Sequence, residues 1–243
     1  MKTLVLVGSG EFTDAMLKVD KFLIKLVKHI KGRSKINIAI IPTASVPDGR
    51  QINWINDGVK HFKKLEINPF GLNIVNRQDA NKKVNLRKLK TASIIYFSGG
   101  HPGYLLEIFK HTQAWKLIET LYNNGVMLVG TSAGAMILGN YLLGNAQETF
   151  NKEEKPLWIK GFNLVPFAIF PHYDWAKRHK PKLLVKLIES APRKISANWL
   201  GIDENTAVII SDGKKTKIMG KGSVTMQRGN ETLKYNTGQK FLI

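Results

Sequence analysis

Five short runs of almost uninterrupted apolar residues, separated by longer amphipathic stretches, constrain this chain more than any other feature. The runs are Leu4 to Val7, Ile36 to Ile41, Leu72 to Val75, Ile94 to Phe97 and Val126 to Val129. Strands covered on both faces read this way, because neither face can present polar side chains to water. Between the first two runs, Leu17, Phe22, Leu23, Leu26, Val27 and Ile30 recur at helical spacing within Ala15 to Ile30, with lysines on the opposite side. Gln51 to Leu65 and Tyr104 to Asn123 repeat that pattern. Strands alternating with crossover helices predict an α/β fold with a doubly wound, mostly parallel sheet. After residue 190 the texture changes to alternating apolar and polar residues, with turn signals at Ser211-Asp212-Gly213 and Arg228-Gly229-Asn230. That end predicts antiparallel hairpins at the sheet edge.

A chain of 243 residues buries about 72% of the surface exposed when unfolded, enough for one core. The expectation is a single domain over 1–243, with a C-terminal β extension from about 199 to 243. With no cysteine, disulfide scaffolds, thiolate metal sites and a cysteine nucleophile are excluded together. The 37 basic against 18 acidic residues give a net charge of +19. Specific nucleic-acid binding wants such an excess gathered in one stripe. Here the lysines are spread along the chain, from Lys18 and Lys82 to Lys214 and Lys240. No specific nucleic-acid partner is expected, and a broadly positive field favours anionic substrates instead. The apolar run after Met1-Lys2 is too short for a secretory leader or a membrane span, so the expected location is cytoplasmic, without a membrane partner.

The fifth run leads into Gly130-Thr131-Ser132-Ala133-Gly134-Ala135, after which Met136 to Leu143 continues at helical spacing. This is G-x-S-x-G between a strand and a helix. A nucleophile elbow needs small residues two before and two after the serine, because the sharp turn brings neighbouring backbone close. The turn lifts the hydroxyl clear and leaves the N–H of Ala133 free for a developing oxyanion. A glycine-rich turn before a helix also binds phosphate, but neither a Walker sequence nor a third dinucleotide-type glycine is present. A second glycine turn, Ser98-Gly99-Gly100-His101-Pro102-Gly103, closes the fourth run. Ligands gather at the carboxyl ends of strands in such sheets, so the N–H of Gly99 or Gly100 is a candidate second oxyanion donor. His101 in that loop reads as facing substrate or packing the loop.

A serine nucleophile needs a base, usually histidine. His29, His61 and His111 fall in or at the ends of amphipathic helices, whereas His172 follows the apolar run Val165 to Phe170 at a strand end. It lies forty residues after Ser132, room for a helix and a strand to return the chain to the same edge. A carboxylate should orient the imidazole. Glu148 after the elbow helix, Asp174 beside His172, and Asp203 and Glu204 at a later turn are all candidates.

These segments, with Gly8-Ser9-Gly10-Glu11-Phe12 and Ile40-Ile41-Pro42-Thr43-Ala44, resemble in order the serine peptidases of the dipeptidase E and cyanophycinase family. The resemblance implies a flavodoxin-like, class I glutamine amidotransferase-like fold with serine as nucleophile. It implies a peptidase that releases an N-terminal aspartate from short peptides or cuts β-aspartyl-arginine units. Carried over, Ser132 is the nucleophile, His172 the base and Glu148 the acidic member, with Gly100 and Ala133 as the oxyanion hole. His101-Pro102 departs from the small polar residue that the family shows after its double glycine.

The expected function is a serine hydrolase acting on a small peptide substrate through an acyl-enzyme, with no metal and no cofactor. An acidic residue is the favoured substrate side chain, held by Arg178 with Lys177 and Lys180 nearby, and with His101 and Asp174 in the binding site. The alternatives are a cyanophycinase-like β-aspartyl peptidase and a non-catalytic small-ligand binder on the same fold.

Overall fold

Residue alternation along the first strand decides the layering. In the computed structural model, which describes residues 1–32 and 35–243, Leu4 and Leu6 enter one apolar core while Val5 and Val7 enter another on the opposite face. The strand, β1 (Thr3–Val7), is buried throughout. It is joined by β2 (Asn37–Ile41), β3 (Asn68–Gly71), β4 (Ile94–Phe97) and β5 (Met127–Thr131) in a parallel array ordered β1-β5-β4-β2-β3.

The crossovers are α1 (Leu17–Lys31), α2 (Gln51–Lys63), α3 (Lys83–Lys90), α4 (Pro102–Phe109) and α5 (Gln113–Asn123). Leu23 and Val27 of α1 and Phe62 of α2 pack with Val5 and Val7, while Leu105 of α4 and Ile118 of α5 pack with Leu4 and Leu6. The doubly wound sheet expected from the apolar runs is therefore present. The side chain of Ile30, expected on the apolar face of α1, lies outside the described residues.

Three expected elements differ, the helix continuing over Met136 to Leu143 among them, since it stops at Leu138 and Tyr141–Leu143 is a strand. The run Leu72 to Val75 is not the strand; β3 ends at Gly71, and Leu72 and Ile74 turn into the core beyond it. Their apolar character reflects burial rather than pairing. The stretch Tyr104 to Asn123 is two helices, broken where His111 adopts a φ of 60° and the Thr112 hydroxyl caps α5 by accepting the Trp115 N–H.

Downstream come α6 (Ala133–Leu138), the hairpin β6 (Tyr141–Leu143) and β7 (Trp158–Lys160), and between those strands α7 (Ala146–Lys152). Then follow β8 (Ala168–Phe170), α8 (Tyr173–His179), α9 (Pro181–Ser190), α10 (Arg193–Ser196), β9 (Asn198–Ile202), β10 (Thr206–Ser211), β11 (Lys215–Gly220), β12 (Ser223–Arg228) and β13 (Glu231–Asn236). As expected, antiparallel strands extend the main sheet: β10 pairs with β1, and β11 with β10. The other two late strands, β12 and β13, instead join β9 and β8 in a second sheet ordered β13-β12-β9-β8. No helix among the described residues is long and apolar enough to cross a membrane.

Candidate active site

Strand β5 ends one residue before Ser132, whose N–H donates to the Val7 carbonyl at 3.0 Å and so ties the turn to the end of β1. Ser132 has φ 51° and ψ −115°. A non-glycine residue there carries strain of about 1–3 kcal/mol, held by its surroundings. The flanking glycines are demanded by backbone contact. A Cβ at Gly130 would stand 2.3 Å from the Gly134 carbonyl oxygen, and one at Gly134 would stand 2.4 Å from that of Phe97. The turn therefore projects the hydroxyl from the carboxyl end of the sheet.

His172 meets it there. Its Nε2 lies 3.0 Å from Ser132 Oγ, and its Nδ1 lies 2.7 Å from Glu204 Oε1. The reason is the register of the second sheet, in which Phe170 of β8 pairs beside Gly201 of β9. His172 and Glu204, each two positions beyond the end of its strand, therefore emerge next to each other. His172 itself turns through a φ of 51° to start α8. The β9–β10 turn is braced from beneath, since Gly8 N–H donates to the Thr206 carbonyl and Asn205 N–H to the Ser9 carbonyl. The approach is close enough that a Cβ on Gly8 would come within 2.1 Å of the Asp203 carbonyl oxygen.

The carboxylate beside His172 is thus Glu204, not Glu148. Glu148 sits on α7, where no hydrogen bond links it to His172 among the described residues, while its neighbour Gln147 donates to the Gly100 carbonyl at 2.6 Å. Asp174 also has a different place from the one expected. Its Oδ1 accepts the Glu204 N–H at 2.8 Å, and its Oδ2 pairs with Arg178 at 3.1 Å one helical turn on. Asp203 ties the N–H and hydroxyl of Ser223 to the same turn. His101 faces away toward the Thr43–Gly49 turn, with Nε2 2.9 Å from Asp48.

The second glycine turn lies against the serine, because a Cβ on Gly99 would be 3.2 Å from that of Ser132. Two residues orient it. Glu11 Oε1 accepts the Gly99 N–H at 2.9 Å, and the Ser45 hydroxyl donates to the Gly99 carbonyl at 3.0 Å. That carbonyl shares a peptide plane with the Gly100 N–H, so Ser45 fixes the direction of this donor. Among the described residues, neither the Gly100 nor the Ala133 N–H has an acceptor within the protein. Gly100 has φ +135°, and a Cβ there would lie 2.3 Å from the Ala44 carbonyl oxygen.

Sequence reasoning gave Glu11 and Ser45 no role. Their signal is positional: both stand just beyond the carboxyl ends of parallel strands, where such sheets build their sites. Burial holds the Glu11 carboxyl above the ordinary glutamate range, opposed by backbone N–H bonds and the charge of His172. Tyr96, whose hydroxyl bonds Thr131 Oγ1 at 2.8 Å behind the elbow, is pushed well up by burial and by Asp20 and Glu11.

Ser132, His172 and Glu204 open into a cavity of about 330 Å³. No group of three or more metal-ligating side chains is found among the described residues.

A model of peptidase family S51 matches residues 4–218. A cyanophycinase from Trichormus variabilis is 28% identical over 202 residues, covering 80% of this chain but 64% of the relative. The chain thus spans less than two thirds of that relative's length. The uncharacterized peptidase YgaJ of Bacillus subtilis is 25% identical over 184 residues, 74% of this chain and 73% of that one. The crystal structure of a peptidase from an acI-B1 Actinobacterium superposes with a TM-score of 0.85 at 26% identity, covering 100% of this chain and 97% of that one.

Proposed function

Because the chain belongs to peptidase family S51, we propose that it is a serine hydrolase that cleaves an amide bond in a short peptide through an acyl-enzyme. The observation that carries this reading is the unbroken line from Ser132 Oγ through both nitrogens of His172 to Glu204, at 3.0 and 2.7 Å. Ser132 Oγ attacks the scissile carbonyl carbon while its proton passes to His172 Nε2. Glu204 accepts from Nδ1–H, which fixes the tautomer that leaves Nε2 free to act as base and stabilises the imidazolium. The carbonyl oxygen, now an oxyanion, accepts from the N–H groups of Gly100 and Ala133. Collapse of the tetrahedral intermediate breaks the C–N bond, and His172 returns the proton to the leaving amine. Water then gives a proton to His172 and its oxygen to the acyl carbon, and the bond from that carbon to Ser132 Oγ breaks as His172 returns the proton to Oγ, releasing the acid.

Two of the cations expected to hold an acidic substrate side chain, Arg178 and Lys177, are otherwise engaged. Arg178 pairs with Asp174, and Lys177 Nζ stands 4.6 Å from the centre of the Tyr173 ring. Neither lines the cavity. The similarity to a cyanophycinase supports a β-aspartyl peptide as the alternative substrate.

Pre-steady-state hydrolysis of 4-nitrophenyl acetate tests the acyl-enzyme. The expected result is a burst approaching one nitrophenol per chain, followed by slower turnover and absent in Ser132→Ala. A linear time course that Ser132→Ala shares would overturn the reading.

A further inference from the structure

The wall of the cavity differs in chemistry from its floor. Beyond the triad its apolar lining includes Leu143, Phe150, Trp158, Phe170, Trp175 and Leu184, contributed by β6, α7, β7, β8, α8 and α9, with the side-chain amides of Gln147 and Asn151 on α7 as the uncharged polar groups beside them. Leu143, Phe170 and Leu184 are buried, and Trp158 meets the Phe170 ring edge-on with centroids 5.9 Å apart. Trp175 at the rim keeps 36% of its surface exposed. No lysine or arginine lines the cavity among the described residues, and its single carboxylate, Glu204, is bonded to His172. A charged substrate group entering this wall would lose its hydration and find no counter-charge. An apolar side chain would exchange water for apolar contact.

We propose that this wall is a specificity subsite for a bulky apolar or aromatic side chain on one side of the scissile amide. The inference rests on the hydrolase reading for its link to cleavage, but not for binding. Its geometric basis is continuity, since the same cavity contains Ser132 and the aromatic wall. Full burial of a leucine or phenylalanine side chain is worth roughly tenfold or more in affinity.

The test uses the full chain and dipeptides Xaa-Ala and Ala-Xaa, with Xaa as Phe, Leu, Asp or Arg. Two quantities are measured: kcat/KM with the wild type, and binding to Ser132→Ala followed by tryptophan fluorescence, which Trp158 and Trp175 report from within the cavity. The expected result is that, in one of the two positions, Phe and Leu exceed Asp and Arg at least tenfold in both measurements. The absence of any preference for Phe and Leu over Asp and Arg at both positions would overturn the subsite. The two readings fail separately. Cleavage that favours charged residues at both positions leaves the hydrolase standing and removes the subsite. Binding that favours Phe without cleavage of any peptide leaves the subsite and removes the hydrolase.

Discussion

At the scale of single residues, the division of labour between Glu204 and Glu148 is the sharpest consequence of the geometry. Glu204→Gln keeps the shape but offers His172 Nδ1 an amide in place of a charge, and kcat should fall roughly 10³- to 10⁴-fold. Glu148→Gln should stay within about twofold of wild type in the same assay. Equal losses from both would contradict the hydrogen-bond pattern. Ser132 was legible because its motif is local, six consecutive residues whose sizes follow from one turn. His172 was legible from a strand end with a histidine just beyond it. Glu204 was one of four carboxylates and could not be singled out, because its meeting with His172, 32 residues away, depends on β8 pairing with β9. Glu11 yields a prediction of opposite kind. Its carboxyl is raised by burial, so its contribution to stability is present below the unfolded value of about 4.3 and is lost as pH rises through the folded value. Glu11→Gln carries no charge to bury and can still accept the Gly99 N–H. The difference in melting temperature, variant minus wild type, should therefore grow from pH 4 toward pH 8; a difference that stays flat or shrinks would show that Glu11 is not penalised by its burial.

At the scale of elements, the elbow works because two strands and a helix approach at backbone contact distance. Gly134→Ala places a methyl 2.4 Å from the Phe97 carbonyl oxygen, so either β4 or α6 must shift. Overpacking of this kind costs about 1–3 kcal/mol, and the urea midpoint should drop by that loss divided by the slope, which stays unchanged. Activity should fall further than stability, since Phe97 leads directly into the Ser98–Gly100 turn that supplies an oxyanion donor. An unchanged midpoint would mean that the approach is looser than described. The helix after the elbow shows where periodicity misleads. Met136 to Leu143 keeps its apolar spacing, yet α6 stops at Leu138 and Tyr141–Leu143 is strand β6. Burial on every side makes such a segment apolar whichever backbone it adopts, and Gly139 provides the break. The run Leu72 to Val75 misleads for the same reason, being core beneath a connection rather than a paired strand.

For the whole molecule, the parallel sheet was the most readable part, because strands covered on both faces leave continuous apolar runs and crossovers leave amphipathic ones. The late strands were readable as strands but not as members of a particular sheet. Alternation reports that one face is buried and is silent on which neighbour supplies the edge. That ambiguity concealed the second sheet, and with it the register that delivers both His172 and Glu204 to Ser132. Two sheets thus meet at one serine: the first supplies the turn, the second the base and its carboxylate. The most direct measurement of that convergence is covalent labelling by a fluorophosphonate, read as the intact mass and the modified peptide. The expected result is one adduct per wild-type chain, located on Ser132, with no adduct on Ser132→Ala and labelling slowed at least a hundredfold in His172→Ala. Folded wild-type protein that takes up no label, or labelling as fast in His172→Ala as in wild type, would contradict it.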